Sequence, residues 1–356
     1  MSAMSSGSSR RVRSVRWPGG AIGAISILVG ALSIGFAAGA EQRPAAGSGD
    51  RPIPMLQAPP DELGQEDLER YWSTATEIEM AVLTDEEGRD LYALSRELER
   101  ASELFERVAE SPSGDPSGHW RAARAVWLSG EVLPLDEKEE KLDRFRRAEA
   151  LTDIALEKNP DCGECMLWKF IAMGRTLTTG GVMDAMRALP EMSKLLDRAI
   201  ELQPTHRDSE DNSTLGNLYY SSAIFNRLVP DWILLKWMTG VRGDKWLALE
   251  HSRKALELHP TRLDYRIEVG TQLLCIGTAK KKRDRLAEGK RLIEAAIAEA
   301  PEAETEDERR EIFFARKLLA EPKKSCGYTG DDIVDVDAEA KKNKDGKRDK
   351  KSKSKR

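Results

Sequence analysis

The strongest constraint on the fold is a spacing, repeated four times, in which an alanine lies five residues before a proline. The four pairs are Ala155 with Pro160, Ala199 with Pro204, Ala255 with Pro260, and Ala296 with Pro301. A small residue lets the two helices of a hairpin approach closely, and a proline stops the second helix. The pattern therefore predicts stacked helical hairpins.

The rest of the central region agrees with an all-α fold. Apolar residues recur at helical spacing from about residue 66 to residue 320, without a useful run of strand-like alternation. Glycines at Gly216 and Gly270 precede two of the alanine-proline segments and predict further close helix contacts. Asp244, in "RGD", is predicted to cap the following helix, "KWLALEHSRKALEL".

These small-residue and proline spacings resemble the tetratricopeptide repeat over about residues 90–320. The resemblance implies a right-handed α-solenoid of about five helical hairpins with a concave groove. The four prolines are 44, 56 and 41 residues apart, whereas the repeat is usually about 34 residues long. Insertions are therefore expected, and the longest is an aromatic-rich helical stretch after Tyr220.

A narrower resemblance rests on the order of four blocks: "CGECMLWKFIAMG", "LLDRAIELQP", "LGNLYYSSAIF" and "ALEHSRKALELHP", with the aromatic-rich insertion before the last. This order is similar to that of the regulator of microtubule dynamics family. The resemblance implies degenerate tetratricopeptide repeats and membrane association. The name implies contact with tubulin, which we do not expect for this chain because its first residues predict export.

Residues 1–40 have the parts of a secretory signal. Four arginines precede an uncharged stretch, "AIGAISILVGALSIGFAAGA", which ends in Ala38-Gly39-Ala40. The alternative is a retained membrane anchor, since twenty uncharged residues can span a bilayer. Either way, we expect the rest of the chain to lie outside the cytosol, in the bacterial periplasm or envelope.

Composition divides the remaining chain into three parts. Residues 41–63, rich in Pro and Gly, predict a flexible linker. Residues 64–325 form the predicted repeat domain, and residues 326–356 a disordered tail that is acidic and then basic. The formal net charge is −5, with +4 on residues 1–40 and +8 on the last sixteen residues, which leaves −17 on residues 41–340. The basic end of the tail is suited to an anionic surface, and nucleic acid is not an expected partner.

The chain has four cysteines. Cys162 and Cys165, in "NPDCGEC", lie at the predicted start of a helix and are candidates for a local disulfide, for simple core packing or for thiol redox chemistry. Cys275 and Cys326 are candidates for a disulfide that joins the C-terminal region to the last hairpin, provided that their Cα atoms lie within about 7 Å. A zinc site needs about four ligands at suitable spacing, so no metal is predicted.

No catalytic constellation and no cofactor motif is evident, so we expect a binding protein and not an enzyme. The leading hypothesis is a scaffold that holds a protein or peptide partner in its groove. The alternatives are a carrier of lipid or another apolar ligand, as in periplasmic transport accessory proteins, and a thiol oxidoreductase. The candidate contact residues are Trp168, Tyr219, Tyr220, Trp232 and Trp237.

Overall fold

The computed structural model describes residues 59–83, 90–134, 136–180, 182–207, 213–231, 233–300 and 306–328. These ranges contain α-helices, two short 3-10 helices and no β-strand. The α-helices are α1 (Gln65–Leu83), α2 (Leu91–Glu110), α3 (Gly118–Glu131), α4 (Lys138–Lys158), α5 (Gly163–Gly180), α6 (Val182–Glu201), α7 (Thr214–Leu228), α8 (Ile233–Thr239), α9 (Lys245–Leu258), α10 (Leu263–Ala279), α11 (Arg283–Glu299) and α12 (Glu306–Ala320). The predicted all-α fold class is confirmed.

The helices pack in chain order. Each α-helix contacts the next one, except that α7 pairs with α9, and the short α8 packs on α6 instead. Contacts also join α3 to α5, α5 to α7, and α7 to α10. We call α3, α5, α7 and α10 the inner layer, because nearly all of their described side chains are buried. This arrangement is compatible with an α-solenoid; its handedness and number of hairpins remain predictions.

Small residues lie where the helices meet. The alanines at 155, 199, 255 and 296 are at most 4% exposed. A Cβ added to Gly270 in α10 would lie 2.4 Å from Cγ1 of Ile293 in α11, and one added to Gly216 would lie 3.3 Å from the Tyr265 hydroxyl. A side chain at position 270 would therefore force Ile293 to move, whereas one at position 216 would require the tyrosine hydroxyl to shift by a few tenths of an ångström.

The aromatic-rich insertion is shorter than its sequence indicates. Helix α7 continues to Leu228, so Phe225 and Leu228 are core residues of that helix and not part of an added one. The insertion itself consists of α8 and its flanking turns, ending where Asp244 caps α9 by accepting hydrogen bonds from the Trp246 and Leu247 amides. The predicted cap is thus confirmed.

The ends of the described region are ordered. A 3-10 helix, Pro60–Glu62, and the buried Leu63 precede α1. A second 3-10 helix, Pro322–Gly327, follows α12, and Tyr328 packs in the core next to it. The predicted signal or anchor at 1–40 and the basic end of the tail lie outside the described residues. No helix in the described ranges is sufficiently long and apolar to cross a membrane.

Candidate functional site

The most distinctive site is a stretch of the chain held against the inner layer. We call residues Pro322–Tyr328 the C-terminal segment. It contacts α10, α12 and α7, and its Ser325 and Tyr328 are at most 3% exposed. A short peptide-like stretch is thus buried on helices of the inner layer.

A buried ion pair between α7 and α10 lies against this segment. Arg227 in α7 and Glu268 in α10 have side chains that are 0% and 1% exposed, with Nη2 2.9 Å from Oε2 and Nε 3.1 Å from Oε1. Burial raises the pKa of Glu268, and the adjacent Arg227 opposes that shift. A paired guanidinium retains donors for other acceptors, because it carries five N–H groups.

Those remaining donors bind the backbone of the C-terminal segment. Nη1 of Arg227 donates to the Ser325 carbonyl oxygen at 3.1 Å and also to the Tyr328 carbonyl oxygen. The Arg227 guanidinium lies 5.8 Å from the centroid of the Tyr328 ring. Since carbonyls are common to every residue, these hydrogen bonds recognise the backbone at the end of the 3-10 helix without requiring a particular sequence.

A second polar cluster lies beside the ion pair, between α7 and the start of α10. Arg262 donates from Nε to Asp264 and from Nη1 to Oδ1 of Asn217, each at 3.0 Å. The Tyr265 hydroxyl donates to the same Asn217 oxygen at 2.7 Å. These groups are all buried. Together with Arg227 and Glu268 they form a buried polar strip between α7 and α10.

Sequence reasoning missed this strip. Arg227 and Glu268 are separated by 41 residues, and each lies in an apolar helical sequence, "FNRLV" and "RIEVG". A charged residue within such a sequence is a signal of a buried pair, because an unpaired buried charge is very costly. The signal marks each residue separately but does not identify its partner.

The four cysteines are close in pairs. Cys162 and Cys165 form a disulfide at the start of α5, with Cα atoms 5.2 Å apart. Cys275 in α10 and Cys326 in the C-terminal segment form another, with Cα atoms 4.7 Å apart. The second disulfide fixes the segment covalently to the same helix that carries Glu268. Within the described ranges, no cluster of His, Cys, Asp and Glu suits a metal ion.

The aromatic contact candidates do not lie together. Trp168 is 4% exposed and packs near Trp127, with ring centroids 5.7 Å apart. Tyr220 is 3% exposed and lies 5.0 Å from the Tyr265 ring. Both side chains are therefore core residues with little surface to offer a partner.

The remaining candidates differ in exposure. Tyr219 is half-buried, with its ring 5.2 Å from that of His251. Trp237 on α8 is 87% exposed. Trp232 lies outside the described residues. Of the five candidates, Trp237 presents the largest described surface to a partner.

Comparison with known families gives a match over most of the helical region. The family model of regulator of microtubule dynamics protein 1-3 matches residues 86–320. Helices α2 to α12 lie within the matched range, whereas α1 and the C-terminal segment lie outside it. No curated protein matches the chain significantly.

Proposed function

From the premise that the chain belongs to the regulator of microtubule dynamics protein 1-3 family, we propose that it is a non-enzymatic scaffold that binds a short peptide of a protein partner on its inner layer. In this proposal the helices form a right-handed solenoid of about five tetratricopeptide-like hairpins. The scaffold acts in the cell envelope, because residues 1–40 predict export.

The observation that supports peptide binding is the C-terminal segment itself. It lies on α7 and α10 as a bound peptide would, with two of its carbonyl groups accepting hydrogen bonds from Arg227. Recognition of main-chain groups supplies affinity, and the pocket around Tyr328 supplies selectivity. A partner peptide would use this surface when the Cys275–Cys326 disulfide is reduced and the segment is displaced.

The microtubule role in the family's name is not part of this proposal. Tubulin is cytosolic, and an exported chain would not meet it. The lipid-carrier and oxidoreductase alternatives remain predictions. The exposure of Trp237 favours contact with a lipid surface over carriage of an enclosed lipid.

A peptide with the segment's own sequence tests the proposal. The probe is a fluorescent peptide of residues 320–328 with serine in place of Cys326, so that it cannot bind through a disulfide. We expect saturable binding, measured by fluorescence anisotropy, to a chain that ends at Glu321. The full chain should bind the probe far less, because its tethered segment competes at a high effective concentration.

Two controls make the result specific. A probe that also carries Tyr328→Ser should bind about tenfold more weakly, since burying a large aromatic side chain contributes about 1.5–3 kcal/mol. An Arg227→Met/Glu268→Met double variant of the shortened chain removes the carbonyl donors without leaving one buried charge unpaired. If the shortened chain keeps its helical circular dichroism and does not bind the probe, peptide binding at this site is refuted.

A further inference from the structure

A second surface, separate from the peptide site, is formed by α8 and the turns next to it. On α8, Ile233 is 77% exposed and Trp237 is 87% exposed. Four residues apart, they lie on one side of the helix. Leu235 is 3% exposed and holds the opposite side against the core. Helix α8 therefore presents a large apolar and aromatic surface to its surroundings.

A cleft lined by basic side chains adjoins α8 through Lys236. Lys236 on α8, Arg242 in the next turn and Lys280 after α10 line one cleft of about 410 Å³, together with Trp246. Lys282 places Nζ 5.5 Å from the centroid of the Trp246 ring. The exposed turn at residues 280–283 reads Lys-Lys-Lys-Arg. We call α8 with this cleft and turn the aromatic-basic face.

The acids of the cleft are already engaged. Asp231 pairs with Arg242 and, at 3.3 Å, with Lys280. Asp244 accepts hydrogen bonds from the first amides of α9. Basic groups thus outnumber acidic ones at this face, although residues 41–340 carry a net charge of −17. Local positive charge on an acidic body favours an anionic partner.

We propose that the aromatic-basic face docks on the surface of an anionic phospholipid bilayer. Ile233 and Trp237 enter the boundary between headgroups and acyl chains, where tryptophan is favoured. Lys236, Lys280 and Lys282 contact the phosphate-bearing headgroups. Charge alone would suit any polyanion, but a lipid surface also offers an apolar phase for the two exposed side chains.

Tryptophan quenching by lipid tests this directly in the full chain. Vesicles of phosphatidylserine and brominated phosphatidylcholine quench only a tryptophan that enters the acyl boundary. We expect part of the fluorescence to be quenched in the wild-type chain, and that part to be lost in Trp237→Phe, which preserves an apolar side chain. The difference in quenching between the two proteins reports on Trp237 alone, separately from the other tryptophans and from any binding through the basic tail.

Cosedimentation with the same vesicles supplies a second readout. Trp237→Ser and Lys236→Glu/Lys282→Glu should each weaken binding about tenfold. Phe313→Ser and Lys138→Glu/Arg146→Glu change exposed side chains elsewhere and should leave binding unchanged. Quenching that is the same in wild type and Trp237→Phe would overturn the proposal. So would a change in oligomeric mass on Trp237→Ser without vesicles, because the face would then be a protein interface.

Discussion

Arginine retains its charge in the core of a protein, since its guanidinium is not deprotonated there. Arg227 is therefore stable inside this molecule only because Glu268 and two backbone carbonyls surround it. The sequence alone predicts the interaction of a single residue when its partner is a near neighbour in the chain. Asp244, which caps the helix that begins one residue later, is one such residue. The partner of Arg227 depends on how α7 and α10 pack, which local spacing does not specify.

His119 offers a pH-dependent test at the same scale. Burial, and to a smaller extent the charge of Lys158, lower the pKa of His119 from its ordinary value of 6.5 to about 4. The neutral ring lies 2.7 Å from Nζ of Lys158. The unfolded chain therefore binds this proton more readily, so the contribution of His119 to stability is complete above about pH 6.5 and is lost as the pH falls towards 4.

We expect His119→Gln to remove that pH dependence. Between pH 7 and pH 4.5 the free energy of unfolding of the wild type should fall by about 2 kcal/mol more than that of the variant. Urea denaturation at the two pH values measures both. Equal losses in the two proteins would mean that His119 does not titrate with a lowered pKa.

At the scale of elements, the sequence predicts which segments are helical better than it predicts where they end. The spacing around the repeated alanines reflects contacts that every hairpin needs. The division between α7 and α8 is different, because the apolar residues Phe225 and Leu228 fit either a longer α7 or a separate helix. Burial of Leu228 at 5% exposure extends α7, and α8 begins only after it.

The two disulfides should differ in their effect on stability. A cross-link stabilises mainly by restricting the unfolded chain, and the effect grows with the length of the closed loop. Sequence separations of 51 and 3 residues correspond to about 4 kcal/mol and about 2 kcal/mol, respectively. Cys275→Ser/Cys326→Ser should therefore destabilise the protein more than Cys162→Ser/Cys165→Ser.

Urea denaturation of the two double variants measures this difference. Hydrogen exchange adds a local readout, since only the first variant should lose protection in the C-terminal segment. A larger loss of stability in the Cys162→Ser/Cys165→Ser variant would contradict the loop argument.

At the scale of the whole molecule, composition predicts an all-helical acidic body, and the packing of α1 to α12 agrees with it. The open concave groove was expected from the resemblance to tetratricopeptide repeats. In the described residues, α3, α5, α7 and α10 have nearly all their side chains buried, and the groove itself stays a prediction. The C-terminal segment, which lies beyond the last repeat, covers parts of α7 and α10, and no repeat pattern encodes that covering.

For the molecule as a whole, the sequence predicts that the chain is exported. When the chain is produced in bacteria, we expect it in the fraction released from the envelope, with a new amino terminus near Glu41. N-terminal sequencing of that fraction checks the cleavage. Recovery of the intact chain from membranes would favour the anchor, and recovery from the cytosol would refute export.

The disulfide between Cys275 and Cys326 also has a mechanical consequence. It closes a covalent loop that contains α11 and α12. A pulling force on the chain beyond Tyr328 passes through the sulfur bridge directly to α10, so neither helix in the loop bears the load. A force applied to the lysine-rich end of the chain is therefore transmitted to α10, inside the helical stack. The stack then resists unfolding as a unit, and its last helix is not pulled away first.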